Sequence, residues 1–170
     1  GRGFGLVTPL PGDFPWTLDV IIESDVRLMD HLGIKRFHLV GGKSGGTVAR
    51  AFAARRAQRV ATLTGIGTPP PFRPGARERV PEWTHEFETK GVEHWARRSM
   101  AGRLGDKFPA EGAQWWTQYM GRTAVSSQIG FIATIACVDI TADTENISCP
   151  HMVITTNQSA LASLPANRAG

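Results

Sequence analysis

The stretch from Leu39 to Gly46, "LVGGKSGG", is compatible with two kinds of fold. Gly-Lys-Ser ends a phosphate-binding P-loop, whereas Gly-x-Ser-x-Gly turns a nucleophilic serine out of the end of a strand. A P-loop would need another glycine at position 37, where the sequence has Phe37. An aspartate that could hold magnesium is also missing after Ile66 and Ile154. The sequence therefore favours a nucleophile elbow over 42–46, and the nucleotide-binding P-loop is the weaker alternative.

The predicted elements around this stretch alternate between helix and strand. They are a helix capped by Thr17 and running to about Asp30, a strand over 36–40, a helix from the glycines to about Gln58, and strands over 60–66 and 151–156. Helix and strand in alternation predict an α/β fold with a mostly parallel sheet, whose site lies at the carboxyl ends of the strands. Ser44 would project there, and the N–H of Gly45 could donate to a developing oxyanion.

The residue composition changes in the middle third of the chain. Four of the five tryptophans fall between positions 72 and 134, where helical spacing is found over 82–100 and 111–134. We predict a core with the elbow over 1–71, a cap-like helical insertion over 72–134 and a return to the core sheet over 135–170, within one structural domain. Helices that merely cover the sheet are the alternative interpretation of the insertion.

Composition excludes several functional classes. The net charge is +4, but the basic residues are dispersed and no aromatic-rich basic stripe suggests nucleic-acid binding. No apolar stretch is long enough to span a bilayer. Cys137 and Cys149 are predicted to be buried free thiols, and no Cys/His cluster has zinc spacing. We therefore expect no metal, no cofactor, no nucleic-acid or membrane partner, and a cytoplasmic location; the oligomeric state stays open.

Three segments, in order along the chain, resemble the α/β-hydrolase superfamily. They are "GRGFGL", "LMDHLGIKRFHLVGGKSGGTVARAFAARRAQRVATLTGIGTPPP" and "ISCPHMVITT". The resemblance implies a partial α/β-hydrolase fold, with helices on both faces of the sheet and a helical cap. It also implies a serine hydrolase related to esterases and enol-lactonases, in which Ser44 attacks a carboxylic ester or lactone to form an acyl-enzyme.

Some residues depart from the family pattern. Lys43 precedes the serine, where family members usually carry His or another residue, and no carboxylate occurs over 155–159, where the acid is expected. No histidine follows His151. We therefore expect a central fragment of a hydrolase, inactive by itself towards p-nitrophenyl acetate. The alternatives are a complete but degenerate protein and a non-catalytic, ligand-binding relative.

Overall fold

The computed structural model describes residues 3–4, 7–105 and 107–156, and their backbone divides into two compact units. One unit holds the described residues up to Trp16 together with Ala76–Thr134, and the other runs over Thr17–Gly75 and continues from Ile135. The first unit thus includes the N-terminal loop, which the sequence analysis had assigned to the core.

The second unit is built on a three-stranded parallel sheet. Its strands are β1 (Phe37–Gly42), β2 (Val60–Ile66) and β3 (His151–Ile154), in the order β1-β2-β3. Its helices are α1 (Leu18–His31), α2 (Ser44–Arg55) and the short α6 (Thr141–Glu145), and a 3₁₀ turn, Ala57–Arg59, leads into β2. The prediction of a parallel α/β sheet is confirmed.

Apolar periodicity and a cap explain α1 and its packing. The Thr17 hydroxyl accepts a hydrogen bond from the Val20 N–H at 3.1 Å, as the predicted N-cap requires. Leu18 and Ile22, one turn apart, are buried. Phe52 of α2 is also buried and meets Phe37 of β1 edge to face. The core of this unit therefore lies where helices and sheet meet.

The first unit is helical. It contains a 3₁₀ turn over Arg77–Arg79, α3 (Val80–Met100), α4 (Ala110–Gly121) and most of α5 (Val125–Cys137), the helix in which the boundary between the units falls. The helix predicted over 111–134 is thus interrupted between Gly121 and Val125. The N-terminal loop joins this unit through Ser126, whose hydroxyl donates to the Leu10 carbonyl at 2.6 Å.

Helix α3 reverses direction at Gly91. This residue has φ 80° and ψ 166°, outside the helical range. Arg98 donates two hydrogen bonds to Glu86, at 3.0 and 2.6 Å. In a straight helix these residues, twelve positions apart, would be separated by about 18 Å. The contact shows that α3 is a helical hairpin, and Phe87 meets Trp95 across it.

Candidate functional site

The carboxyl ends of the three strands form one edge of the sheet. Gly42 of β1 is in register with Ile66 of β2, which is in register with Ile154 of β3. Just beyond, the Gly67 N–H donates to the Ile154 carbonyl at 2.8 Å. Ligand sites of open parallel sheets lie at this edge, so it is the first place to search for a site.

Lys43 is the apex of the turn that joins β1 to α2. Its φ of 52° and ψ of −126° make it the only non-glycine residue with positive φ in the described part of the chain. Its N–H donates to the Ile66 carbonyl, and its own carbonyl accepts from the Gly46 N–H, each at 2.9 Å. The backbone at Lys43 is therefore fixed between the end of β2 and the first turn of α2.

Two glycines allow this sharp turn. A Cβ on Gly41 would lie 2.6 Å from the Gly45 carbonyl oxygen and 2.7 Å from the Ala49 Cβ. A Cβ on Gly46 would collide with Thr68, which is fully buried. A Cβ on Gly45, in contrast, would meet no atom within 4 Å. Glycine is thus needed at positions 41 and 46 so that α2 can pack against the sheet.

The predicted nucleophile lies one residue beyond the apex. Ser44 is the first residue of α2 and is half-buried, and Gly45 is the second. The expectation that Ser44 occupies the strained position thus differs from the structure, in which Lys43 occupies it. The glycines explain the difference, since Gly-x-x-x-Gly also fits 41–45, with Lys43 in the centre.

The Lys43 side chain lies across the end of β2. A Cβ placed on Gly67, whose φ is 54°, would be 3.3 Å from the Lys43 Nζ and 3.5 Å from its Cε. Lys43 remains exposed at this edge. Among the described residues, no carboxylate forms an ion pair with it.

Two histidines of the second unit, His38 and His151, lie on strands of the sheet. His38 pairs through Nδ1 with the Thr62 hydroxyl at 2.8 Å. His151 begins β3, about 10 Å along the strand from its carboxyl end. Partial burial, and then the charge of Arg50, lower the pKa of His151. Among the described residues, none of the hydrogen bonds found links a histidine or a carboxylate to the Ser44 hydroxyl.

Two of the three carboxylates between α5 and β3 have structural partners. Asp139 accepts hydrogen bonds from the N–H and hydroxyl of Thr141, which lower its pKa. Asp143 accepts two from Arg55, at 2.8 and 2.7 Å. Arg55 ends α2, about 16 Å along the helix axis from Ser44. Asp143 is thus paired with the end of α2 that is opposite to Ser44.

Arg50 and Thr68 were missed by the sequence analysis. The buried Arg50 of α2 donates from Nη1 to the Pro69 carbonyl at 3.0 Å and so holds the loop that follows β2. Thr68, in that loop, fills the space left by Gly46. An arginine in an alanine-rich helix and a threonine before prolines carry no sequence signal for either role.

A separate cleft of about 360 Å³ runs beside β1. It is lined by Asp25, Met29, Phe37, His38, Leu39, Val40 and Phe52. Burial raises the pKa of Asp25. Because its lining comes from the length of β1 and from α1 and α2, this cleft is distinct from the turn at Lys43.

Among the described residues, no three His, Cys, Asp or Glu side chains come close enough to hold a metal ion.

Sequence and structure comparisons agree on the class of protein. The pattern of the alpha/beta hydrolase fold family matches residues 2–137. The chain therefore belongs to the α/β-hydrolase fold family, as its sequence predicted.

Solved structures share the fold at low identity. A thermophilic esterase from Thermogutta terrifontis is 24% identical with a TM-score of 0.85, over 99% of this chain and 63% of that chain. The enol-lactonase from Burkholderia xenovorans LB400 is 21% identical with a TM-score of 0.84, over 98% of this chain and 64% of that chain. These likenesses establish the fold, and this chain spans less than two thirds of either relative.

A curated relative matches a shorter segment. Homoserine O-acetyltransferase from Thermus thermophilus is 37% identical over 77 residues, which are 45% of this chain and 19% of that protein. The matched segment is therefore about a fifth of the relative's length.

No helix among the described residues has the length and apolar character needed to cross a membrane.

Proposed function

We propose that this chain belongs to an α/β-hydrolase-fold protein that binds a small carbonyl compound without forming a serine acyl-enzyme. The observation that carries the proposal is Lys43 at the apex of the turn. In a nucleophile elbow the attacking side chain sits on the strained residue, and the next residue supplies an oxyanion donor through its N–H. By that rule Ser44 would contribute its N–H rather than its hydroxyl.

A serine hydrolase acting through Ser44 is the second candidate. Its support is that the Ser44 hydroxyl lies on the first turn of α2, next to the apex, with the Gly45 N–H adjacent. Family membership supports this hydrolytic class as well. In this mechanism Ser44 would be acylated by the ester or lactone, and the Gly45 N–H would stabilise the oxyanion.

Labelling with a fluorophosphonate distinguishes the two candidates, because the probe reacts with activated serines. The longest natural chain that includes these residues is treated, and the modified residue is found by mass spectrometry. We expect wild type and Ser44→Ala to remain equally unlabelled. Lys43→Ser, which moves a hydroxyl to the apex, is the matched variant and should react faster than wild type. Labelling of wild type at Ser44 that Ser44→Ala abolishes would establish the serine hydrolase instead.

The proposed location is the cytoplasm. Cys137 and Cys149 are both free and half-buried in the structure, rather than fully buried as predicted. Free thiols are typical of reducing compartments, which supports this location. The proposed partner is a small molecule, and neither nucleic acid nor membrane is proposed as one.

A further inference from the structure

We infer that the Lys43 amine captures a small aldehyde or ketone as an imine at the turn between β1 and α2. The inference rests on the proposed function, because it assigns the ligand class of the same site. An amine that attacked an ester or lactone would be consumed as a stable amide. A lysine at the apex is therefore suited to an aldehyde or ketone, which it can bind covalently and release again.

Backbone strain is the first observation behind this inference. A non-glycine residue in a sparsely populated region of backbone conformation is strained, and such residues cluster at functional sites. Lys43 carries this strain although glycines stand at positions 41, 42, 45 and 46. Glycine would adopt the same φ at no steric cost. The strain at Lys43 therefore points to a use for its side chain.

The position of the amine is the second observation. The lysine stem crosses Gly67, so the amine lies at the carboxyl end of β2. Lys43 is exposed, and within the described ranges no ion pair with a carboxylate occupies it. A small ligand can therefore approach the amine at the edge where open α/β sheets bind their ligands.

The chemistry needs no redox partner. The nitrogen lone pair adds to the carbonyl carbon, the C=O π electrons move to oxygen, and the oxygen takes up the proton that nitrogen loses. The nitrogen lone pair of the resulting carbinolamine then forms the C=N bond as the C–O bond breaks, and the hydroxyl leaves as water with the second proton of the nitrogen. While negative charge develops on the oxygen, the N–H groups of Ser44 and Gly45, in the first turn of α2, are the nearby donors that can stabilise it.

Reductive trapping tests the inference against internal controls. The 170-residue protein is incubated with butanal and sodium cyanoborohydride, which reduces the imine to a stable secondary amine. Mass spectrometry then measures the initial rate at Lys43 and at the other lysines, Lys35, Lys90 and Lys107. We expect Lys43 to react at least fivefold faster than the mean of the other three. A smaller ratio overturns the inference.

Two controls test whether the folded surroundings of Lys43 cause its faster reaction. In urea that unfolds the chain the four rates should become equal, since the advantage of Lys43 comes from the fold. Leu28→Lys, which adds an exposed lysine on α1 away from the turn, should react at that position no faster than Lys35, Lys90 and Lys107. Fluorophosphonate labelling at Ser44 contradicts the proposed function whatever the lysine rates. Equal lysine rates without Ser44 labelling contradict the imine alone.

Discussion

At the scale of single residues, the glycines around Lys43 are not equivalent. Gly41 and Gly46 leave no room for a methyl group, because α2 and Thr68 lie against them. Gly45 faces open space and has a φ that other residues adopt. The close approach of α2 to the sheet therefore depends on two of these glycines, while the third leaves the turn unaffected by a small side chain.

Gly41→Ala should lower the free energy of unfolding by about 1–3 kcal/mol, the cost of forcing a methyl group into a packed site. Gly45→Ala is the matched control and should leave stability unchanged or raise it by up to about 1 kcal/mol, because alanine favours the helix more than glycine does. Urea denaturation followed by circular dichroism measures both. Equal losses in the two variants would contradict the packing described at Gly41.

At the scale of elements, the middle and the end of α2 are tied to neighbouring segments. Near its middle Arg50 binds the Pro69 carbonyl, and at its end Arg55 binds Asp143 of α6 and Asp19 of α1. The two acidic partners of Arg55 differ in exposure, since the side chain of Asp143 is 16% exposed and that of Asp19 is 68% exposed. Removing one partner of a partly buried ion pair is more destabilising than removing one from an exposed pair, so the loss of the Asp143 charge should cost more stability.

Asp143→Asn should therefore lower the free energy of unfolding by about 1–2 kcal/mol, because it removes the charge that faces Arg55 in two hydrogen bonds. Asp19→Asn removes the charge of one exposed ion pair and should cost less than about 0.5 kcal/mol. Thermal and urea denaturation by circular dichroism would compare the variants. A larger loss for Asp19→Asn would show that the assignment of the stronger pair is reversed.

The hairpin of α3 predicts a pH dependence. Hydrogen bonds from Arg98 lower the pKa of Glu86 below its ordinary value of 4.5. A carboxyl whose folded pKa is lowered stabilises the fold above its unfolded pKa and loses that contribution as pH falls through the folded pKa. Glu86→Gln should thus be less stable than wild type at pH 7, and the difference should shrink as pH falls below 4.5.

Tryptophan fluorescence during urea denaturation suits this measurement, because Trp83 and Trp95 belong to α3. The matched control is Glu93→Gln, which removes a more exposed i,i+4 pair with Arg97. A Glu86→Gln variant that is as stable as wild type at pH 7 would contradict the lowered pKa.

Sequence patterns located most helices and strands, but they did not identify which residue lies at the centre of the turn between β1 and α2. The cap at Thr17 and the strand at β2 follow from local chemistry, and both are found where they were predicted. The glycines at 41, 42, 45 and 46 satisfy two overlapping frames, one centred on Lys43 and one on Ser44. Only the contact of Gly41 with α2 and the φ of Lys43 distinguish them. Such contacts between elements are not encoded in a local pattern.

The reversal of α3 was also beyond the sequence. The apolar spacing over 82–100 fits a single helix, and one glycine inside a helical pattern is tolerated. The pairing of Glu86 with Arg98 requires a reversal that periodicity does not report. In contrast, membership of the α/β-hydrolase fold family was predictable, because several segments resemble that family and follow one another in the same order.

At the scale of the whole molecule, the sheet has exposed outer strands. Among the described strands, β1 and β3 each pair with β2 alone. Val40 is 63% exposed and Met152 is 54% exposed. Parallel sheets are normally covered on both faces, and unpaired apolar edges promote association. The 170-residue chain should therefore self-associate.

Sedimentation velocity at micromolar concentration would show this as species larger than the 18.5 kDa chain. The double variant Val40→Lys, Met152→Lys should shift the distribution towards monomer, because charges at strand edges oppose pairing. Leu28→Lys, which changes a similarly exposed apolar residue on α1, should leave the distribution unaltered. A monodisperse wild-type monomer would contradict the expectation.

The reversal at Gly91 has a consequence for the order of folding. Glu86 and Arg98 are close in sequence, so the entropy lost in closing their loop is small, whereas pairing β1 with β2 requires the intervening α2 crossover. The α3 hairpin should consequently be formed already in the folding transition state. Refolding kinetics should give a larger φ-value for Phe87→Leu in the hairpin than for Leu63→Ala in β2.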